Sequence, residues 1–425
     1  MLETLKNAWK IQDVRKKILY TLGMLLLYRL LCFIPTPGIN TAAMGSALSQ
    51  NSFFQFIESM TGSNFETMSI MAMGITPYIN SSIIMQLLCV AIPALEELNK
   101  SGDEGRKKIA QITRYVTVAL GFLQAVAMTI GFKQYVTPGF ASYLSIGFCL
   151  AAGTALAMWI GERVTEKGIG NGVSMLIFAG IIANIAKYAA STVFATVDNI
   201  GNGEFGMLLV TLFVLIISVV LIVGVVLVDL SERRIPIQYA KRMVGRKMYG
   251  GQNTHIPMRL NASGVLPLIF ASSIMQFPGM ILSFFNPNNW WSTHMTSTSV
   301  WFNVITALLI LGFTFFYSSI SFNAADMSKN IQQNGGMIPG IRQGKPTTDY
   351  IVKINRRITL FGAFFLAILY LVGSVSIMIA TATNNSQFML PFQTSSLLIA
   401  VSVAVEVMRQ LESQMLMRHY KGFLK

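Results

Sequence analysis

Residues 64–86 read NFETMSIMAMGITPYINSSIIMQ, a stretch apolar enough for a membrane that nonetheless carries Gly74, Pro77, Asn80, Ser81, Ser82 and Gln86. A helix surrounded by lipid offers those side chains no partner. Polar groups inside a membrane are costly and face a protein interior or a water-filled cavity. What this segment faces therefore decides the architecture.

The rest of the chain sets the solvent. It has 425 residues, of which 53% are hydrophobic and only 12% charged, too little charge for the surface of a soluble protein of this length. Apolar runs near the roughly 20 residues that cross a bilayer core recur throughout. They fall at about 18–34, 74–92, 112–132, 142–160, 173–192, 206–228, 264–285, 300–320, 358–380 and 395–411. The runs are continuously apolar rather than alternating, which excludes a membrane β-barrel. The expectation is an all-α polytopic membrane protein with ten transmembrane helices.

Charge orients these helices. Of the 32 Lys and Arg residues, all but Arg29, Lys133 and Lys187 lie before the first run, in or just beyond every second connection, or in the tail counted from Arg409. Lys and Arg accumulate on the cytoplasmic side, so both termini are expected there. The net charge of +14 is thus the charge of one face. The first run has a basic flank like a signal peptide, but its core is long and further spans follow, so it is expected to be retained. Cys32, Cys89 and Cys149 sit within or at the end of runs, odd in number and without a CxxC pair, and point to neither a disulfide framework nor a metal site.

Between Pro35 and the second run lie Phe53, Phe54, Phe56, Ile57 and Met60, too apolar for a solvated loop and too broken for a span. A re-entrant segment entering a cavity fits, because irregular backbone at membrane depth survives only inside protein or against water. An external amphipathic helix is the competing reading. Internal symmetry favours the cavity. PYINSSIIMQ (77–86) and PLIFASSIMQ (267–276) match at Pro77/Pro267, Ile79/Ile269, Ser82/Ser272, Ile84/Ile274, Met85/Met275 and Gln86/Gln276. These belong to the second and seventh runs, an odd separation, so the copies cross in opposite directions. Two inverted halves of five helices follow, 1–192 and 193–425, with the functional site expected between them near the midplane.

The chemistry is thin. Glu162, Asp229 and Glu406 border spans at their cytoplasmic ends, where a carboxylate reaches water or a basic neighbour, and no midplane acid suggests ion-coupled transport. His255, His294 and His419 lie in connections or the tail, without HExxH spacing, and no histidine at membrane depth serves an intramembrane serine protease. GIRQGK (340–345) imitates a phosphate loop, but its first glycine is one residue late, Pro346 replaces Ser or Thr, and no strand is expected before it. With no catalytic residue, metal or cofactor site in view, energy must come from a partner. Two basic connections, about 230–262 and 324–357, exceed the usual bundle loops. The plain role of their charges is topology and contact with anionic phospholipid; they also suit RNA phosphates or an acidic protein surface.

Five stretches, FIPTPGIN (33–40), MGITPYINSSIIMQLL (73–88), GIGNGVSMLIFAGI (168–181), RRIPIQYAKRMVGRKMYGGQNTHIPMRLNASGVLPLIFASSI (233–274) and GGMIPGIRQGKPTTDYI (335–351), resemble the SecY family of channel-forming translocon subunits nearly end to end. The resemblance implies a protein-conducting channel of two pseudo-symmetric halves around an hourglass pore. It implies a pore ring of Ile79, Ile83, Ile177, Ile181, Ile274 and Ile399. Branched apolar side chains in such a ring dewet and block ions. It implies a re-entrant plug at about 57–72 with Ile57, Met60, Phe65, Met68 and Met71, and a lateral gate of the second and seventh helices at Gln86 and Gln276. Arg342, Lys345, Lys241, Arg242 and Arg246 are implied as contacts for the SecA ATPase and the ribosome. SecE and SecG as small membrane subunits, nascent chains, signal peptides, and the bacterial cytoplasmic membrane complete the expectation. A secondary transporter built on inverted repeats is the alternative, and a lipid scramblase or membrane-surface RNA-binding protein a third. Neither explains long basic loops without a midplane carboxylate and with a plug-like segment.

Overall fold

The computed structural model describes residues 6, 8–39, 68–131, 136–137, 139–201, 205–239, 242–244, 247–249, 253–261, 263–285, 290–296, 298–383, 388, 390, 392 and 394–422. In chain order the elements are α1 (Gln12–Leu31), α2 (Thr76–Ala91), α3 (Pro93–Lys100), α4 (Asp103–Gly131), α5 (Phe140–Lys167), α6 (Gly172–Gly201) and α7 (Phe205–Leu230). Strands β1 (Glu232–Tyr239), β2 (Arg242–Val244), β3 (Lys247–Tyr249) and β4 (Asn253–Arg259) follow. Then come α8 (Leu266–Phe285), α9 (Trp290–His294), α10 (Val300–Ser321), α11 (Ala324–Gln333), β5 (Gly336–Met337), α12 (Lys345–Ala382) and α13 (Thr394–Gly422). Each apolar run of the sequence falls on one of these helices. Among the described residues, α4, α5, α7, α10 and α12 are long and apolar enough to cross a membrane, and α2 with α3 would make a sixth.

The chain divides into two compact units. One holds residues 1–209, 278–296 and 391–425; the other holds 210–277 and 297–390.

In the first unit α4 packs along α5, α2 packs on α4, and α6 packs against both α5 and α13. Helix α2 starts at Thr76 with Pro77 in its first turn, where the missing N–H would have had no helical partner anyway. It stops at Ile92 because Pro93 forces the preceding residue into an extended conformation. Helix α3 then leaves at 103° to α2. The approach to α2, residues 68–75, is a series of turns rather than helix. Two hydrogen bonds tie it to the end of α1: Thr36 N–H donates to the Met68 carbonyl at 2.9 Å and Ile70 N–H to the Ile34 carbonyl at 2.9 Å. Gly153 of α5 makes room for it, since a Cβ there would sit 1.9 Å from the Ile70 carbonyl oxygen. Met68, Ala72 and Met73 form an apolar core with Ala125 and Met128 of α4 and Ile146 and Leu150 of α5. A second core joins Ala8 and Val14 to Ile169 and to Leu411 of α13.

In the second unit α10 and α12 are joined by buried polar pairs. Tyr370 Oη donates to Asn303 Oδ1 at 3.0 Å, and the Ser318 and Thr359 hydroxyls lie 2.7 Å apart. Such pairs hold membrane helices together with about 1 kcal/mol each. Helix α12 has 38 residues, about 57 Å at 1.5 Å per residue, nearly twice the roughly 30 Å of a bilayer core.

The expectation of an all-α chain requires correction, as does that of no strand before GIRQGK. The two basic connections fold into a sheet of order β4-β1-β5. β1 pairs antiparallel with β4 from Glu232↔Arg259 to Gln238↔Asn253, and β5 adds Met337 and Gly336 opposite Gln238 and Tyr239. The cause is period-two patterning beneath the charge: Ile235 and Ile237 are buried while Arg233, Arg234, Pro236 and Gln238 are exposed. Ile235, Ile237 and Met258 from the sheet meet Ala324 and Ile331 of α11, Ile338, and Ile351 of α12 in one apolar core. Two loops distant in sequence thus make one module.

Candidate functional site

The residues expected in the ring occupy matched positions on their helices. Ile79 and Ile83 lie one turn apart on α2, and Ile177 and Ile181 one turn apart on α6, so each pair shares a helix face. Ile79, Ile83, Ile181 and Ile399 are buried, Ile181 at 1% exposure, and Ile177 is half-buried. All five belong to the first unit, where α13, carrying Ile399, packs on α6. Ile274, on α8 in the second unit, is 44% exposed.

Of the residues expected in the plug, Ile57, Met60 and Phe65 lie outside the described residues. Met68 and Met71 are fully buried, and Met68 has a left-handed backbone, φ +41°. A non-glycine residue persists in that conformation only where its surroundings hold it, here through the bond from Thr36 and the core against α4 and α5.

Gln86 is exposed on α2; the side chain of Gln276, on α8, lies outside the described residues. The two matched segments nevertheless hold the same helical positions. Pro77 and Pro267 are each second in their helix, Met85 and Met275 are both buried, and Ile84 and Ile274 both exposed.

Arg342 is exposed at the tip of the turn between β5 and α12. Gly340 and Gly344, at φ +80° and +90°, shape that turn in a region few side chains tolerate. The turn is pinned from below. Thr347 Oγ1 donates to the Arg342 carbonyl at 2.8 Å, Gln343 Nε2 to the Gly336 carbonyl at 3.1 Å, and Ser328 Oγ to the Gly344 carbonyl at 3.2 Å. None of these bonds uses the guanidinium, which projects outward. Lys345, the first residue of α12, is exposed beside it. Lys241 and Arg246 lie outside the described residues, and of Arg242 only its place in β2 is described.

Among the border carboxylates, Glu162 accepts from Arg114 Nε at 2.6 Å, joining α5 to α4. Glu406 accepts from Gln410 at 3.4 Å. One cation singled out only as an exception to the charge pattern has a defined place: Arg29 of α1 donates to the carbonyls of Ala179 and Gly180 on α6.

The family model for SecY matches residues 69–408, most of the chain. The chain belongs to the SecY family. A protein translocase subunit SecY from Halalkalibacterium halodurans is 40% identical over 436 residues, covering 100% of both chains. In solved structures, a protein-conducting channel shares the fold with a TM-score of 0.68 at 19% identity, covering 94% of this chain and 92% of that one. Sec61 from a canine ribosome-channel complex does so with a TM-score of 0.65 at 17% identity and the same coverage. Membership makes the chain a multi-pass membrane subunit of a protein-conducting channel, not an enzyme.

Proposed function

We propose that the SecY-family chain is the central pore of a translocase, with ten spans in two inverted halves, 1–192 and 193–425, around an hourglass channel. The ring of Ile79, Ile83, Ile177, Ile181, Ile274 and Ile399 closes it, and the segment about 57–72, with Ile57, Met60, Phe65, Met68 and Met71, seals it from outside. Secretory chains pass through the ring. Membrane segments and signal peptides leave sideways between α2 and α8, past Gln86 and Gln276. Closure at rest needs a free-energy preference of only a few kcal/mol, which a ligand that prefers the open state can reverse.

The observation that carries this is the pairing of isoleucines at one-turn spacing on α2, both buried, and on α6, one buried and one half-buried, together with full-length family membership. A transporter would need no such apolar closure, and the border carboxylate best described, Glu162, is occupied by Arg114. The module of β1, β4, β5, α11 and the start of α12 is the proposed docking platform. Arg342 and Lys345, with Lys241, Arg242 and Arg246, would engage SecA and the ribosome; the canine Sec61 relative was solved in a ribosome-channel complex. SecE and SecG are the expected membrane partners, and anionic phospholipid the expected contact of the remaining basic face. The location is the bacterial cytoplasmic membrane with both termini inside, as the charge distribution supports.

The test is reconstitution. Vesicles holding the chain with its small subunits should import a secretory precursor when SecA and ATP are supplied. Import that is independent of this chain would refute the assignment.

A further inference from the structure

An arginine within a membrane span is costly, about 2.5–3.5 kcal/mol at the centre of a helix on an insertion scale, and its partner explains its presence. Arg29 lies twelve residues beyond Lys17, the last of the basic cluster before the first span. At 1.5 Å per residue that is about 18 Å, close to the midplane of a core about 30 Å thick. Its guanidinium is partly buried and donates through Nη2 to the Ala179 carbonyl at 3.0 Å and the Gly180 carbonyl at 3.5 Å.

The pairing is not an isolated touch. Eight residues earlier on α1, Thr21 Oγ1 accepts the N–H of Ile169 at 3.1 Å, just before α6. The sequence offset is 148 at that contact and 150 to 151 at Arg29. The two segments therefore run side by side in one direction, with Arg29 fixing their relative height. Ala179 and Gly180 occupy the turn between Ile177 and Ile181. A helix carbonyl has a second lone pair free for such a donor, and one nitrogen of the rigid planar guanidinium, Nη2, reaches two successive carbonyls, where a lysine offers a point charge on a flexible stem.

From this geometry we propose that Arg29 is a positioning residue for the constriction. By gripping the turn between Ile177 and Ile181 from behind, it sets the height and rotation of both isoleucines toward the pore. This rests on the assignment of those two residues to the ring. Without the grip, α6 is free to slide or rotate against α1, and the apolar seal loosens although no ring residue has changed.

The experiment compares Arg29→Leu, Arg29→Gln and Arg29→Lys in the full chain within its membrane complex, read as resting ion conductance in planar bilayers. Thermal stability and Ile181→Asn are measured alongside. Arg29→Leu and Arg29→Gln should raise resting conductance roughly tenfold, which corresponds to about 1.4 kcal/mol in the balance between sealed and hydrated ring. Arg29→Lys, keeping the charge but losing the rigid planar guanidinium, should rise part-way. If Arg29→Leu fails to accumulate, Arg29→Gln decides. Conductance at the wild-type level in the Arg29 variants while Ile181→Asn leaks overturns the role of Arg29, and so does a loss of stability without a leak. Wild-type conductance in Ile181→Asn itself overturns the ring assignment instead.

Discussion

Replacing Arg342 by Glu separates docking from folding. The side chain is exposed, and the bonds that shape its turn run through the carbonyls of Arg342, Gly336 and Gly344. A surface exchange of this kind changes stability by about 0.5 kcal/mol or less, so Arg342→Glu should reach the membrane at normal levels. At a partner's acidic surface the same change turns attraction into repulsion. Truncating one member of a buried charge pair costs about 2–5 kcal/mol, and each 1.4 kcal/mol is tenfold in affinity, so binding of the motor should fall by between roughly thirtyfold and several thousandfold. Ile351→Ala is the contrasting control. Ile351 is fully buried in the core that joins both loops, and such a truncation costs about 2–5 kcal/mol of folding stability. It should loosen the whole module and render it protease-sensitive, which Arg342→Glu should not. The assay is SecA-driven import of a precursor into reconstituted vesicles, with ion conductance as a check on the pore. Import at near wild-type rate by Arg342→Glu at normal expression would refute the docking role.

Replacing Ile83 and Ile181 together by Asn should hydrate the ring and raise resting conductance in planar bilayers while import continues; unchanged conductance would remove both from the ring. Joining Gln86→Cys by a disulfide to a cysteine in the first turn of α8, with Cys32, Cys89 and Cys149 replaced by Ser, should block import and membrane insertion until reduction. Normal transport through the crosslinked chain would exclude a lateral gate. Gly153→Val should abolish stable accumulation, since even a Cβ there meets the Ile70 carbonyl oxygen at 1.9 Å; normal accumulation would show that residues 68–75 do not rest on α5.

The helices were legible because a bilayer demands them. Each apolar run must satisfy its own backbone, and each run is a helix here. The run expected at about 74–92 ends where α2 does, but the bend at Pro93 into α3 was not among the expectations. Glu162 was read as a carboxylate in reach of a basic neighbour, and Arg114 is that neighbour. The sheet was not legible, because ERRIPIQY declares its charge more loudly than its alternation, and β5 is only two residues long, too short to show a period at all. What Arg29 does was hidden for a different reason. Its contacts on α6 are backbone carbonyls, which every residue carries, so no residue type at 179 or 180 announces them. The turn around Arg342 was visible in Gly340 and Gly344, but not the bonds from Thr347, Gln343 and Ser328 that fix it, because these join positions up to sixteen residues apart.

Crosslinking probes the path of the passing chain most directly. A photoreactive residue placed at 83 or at 181, in vesicles holding a secretory precursor stalled midway, should capture the precursor. The same probe at Ile368, 59% exposed on α12, should capture lipid instead. Capture at 368 with none at 83 or 181 would contradict a pore closed by these isoleucines.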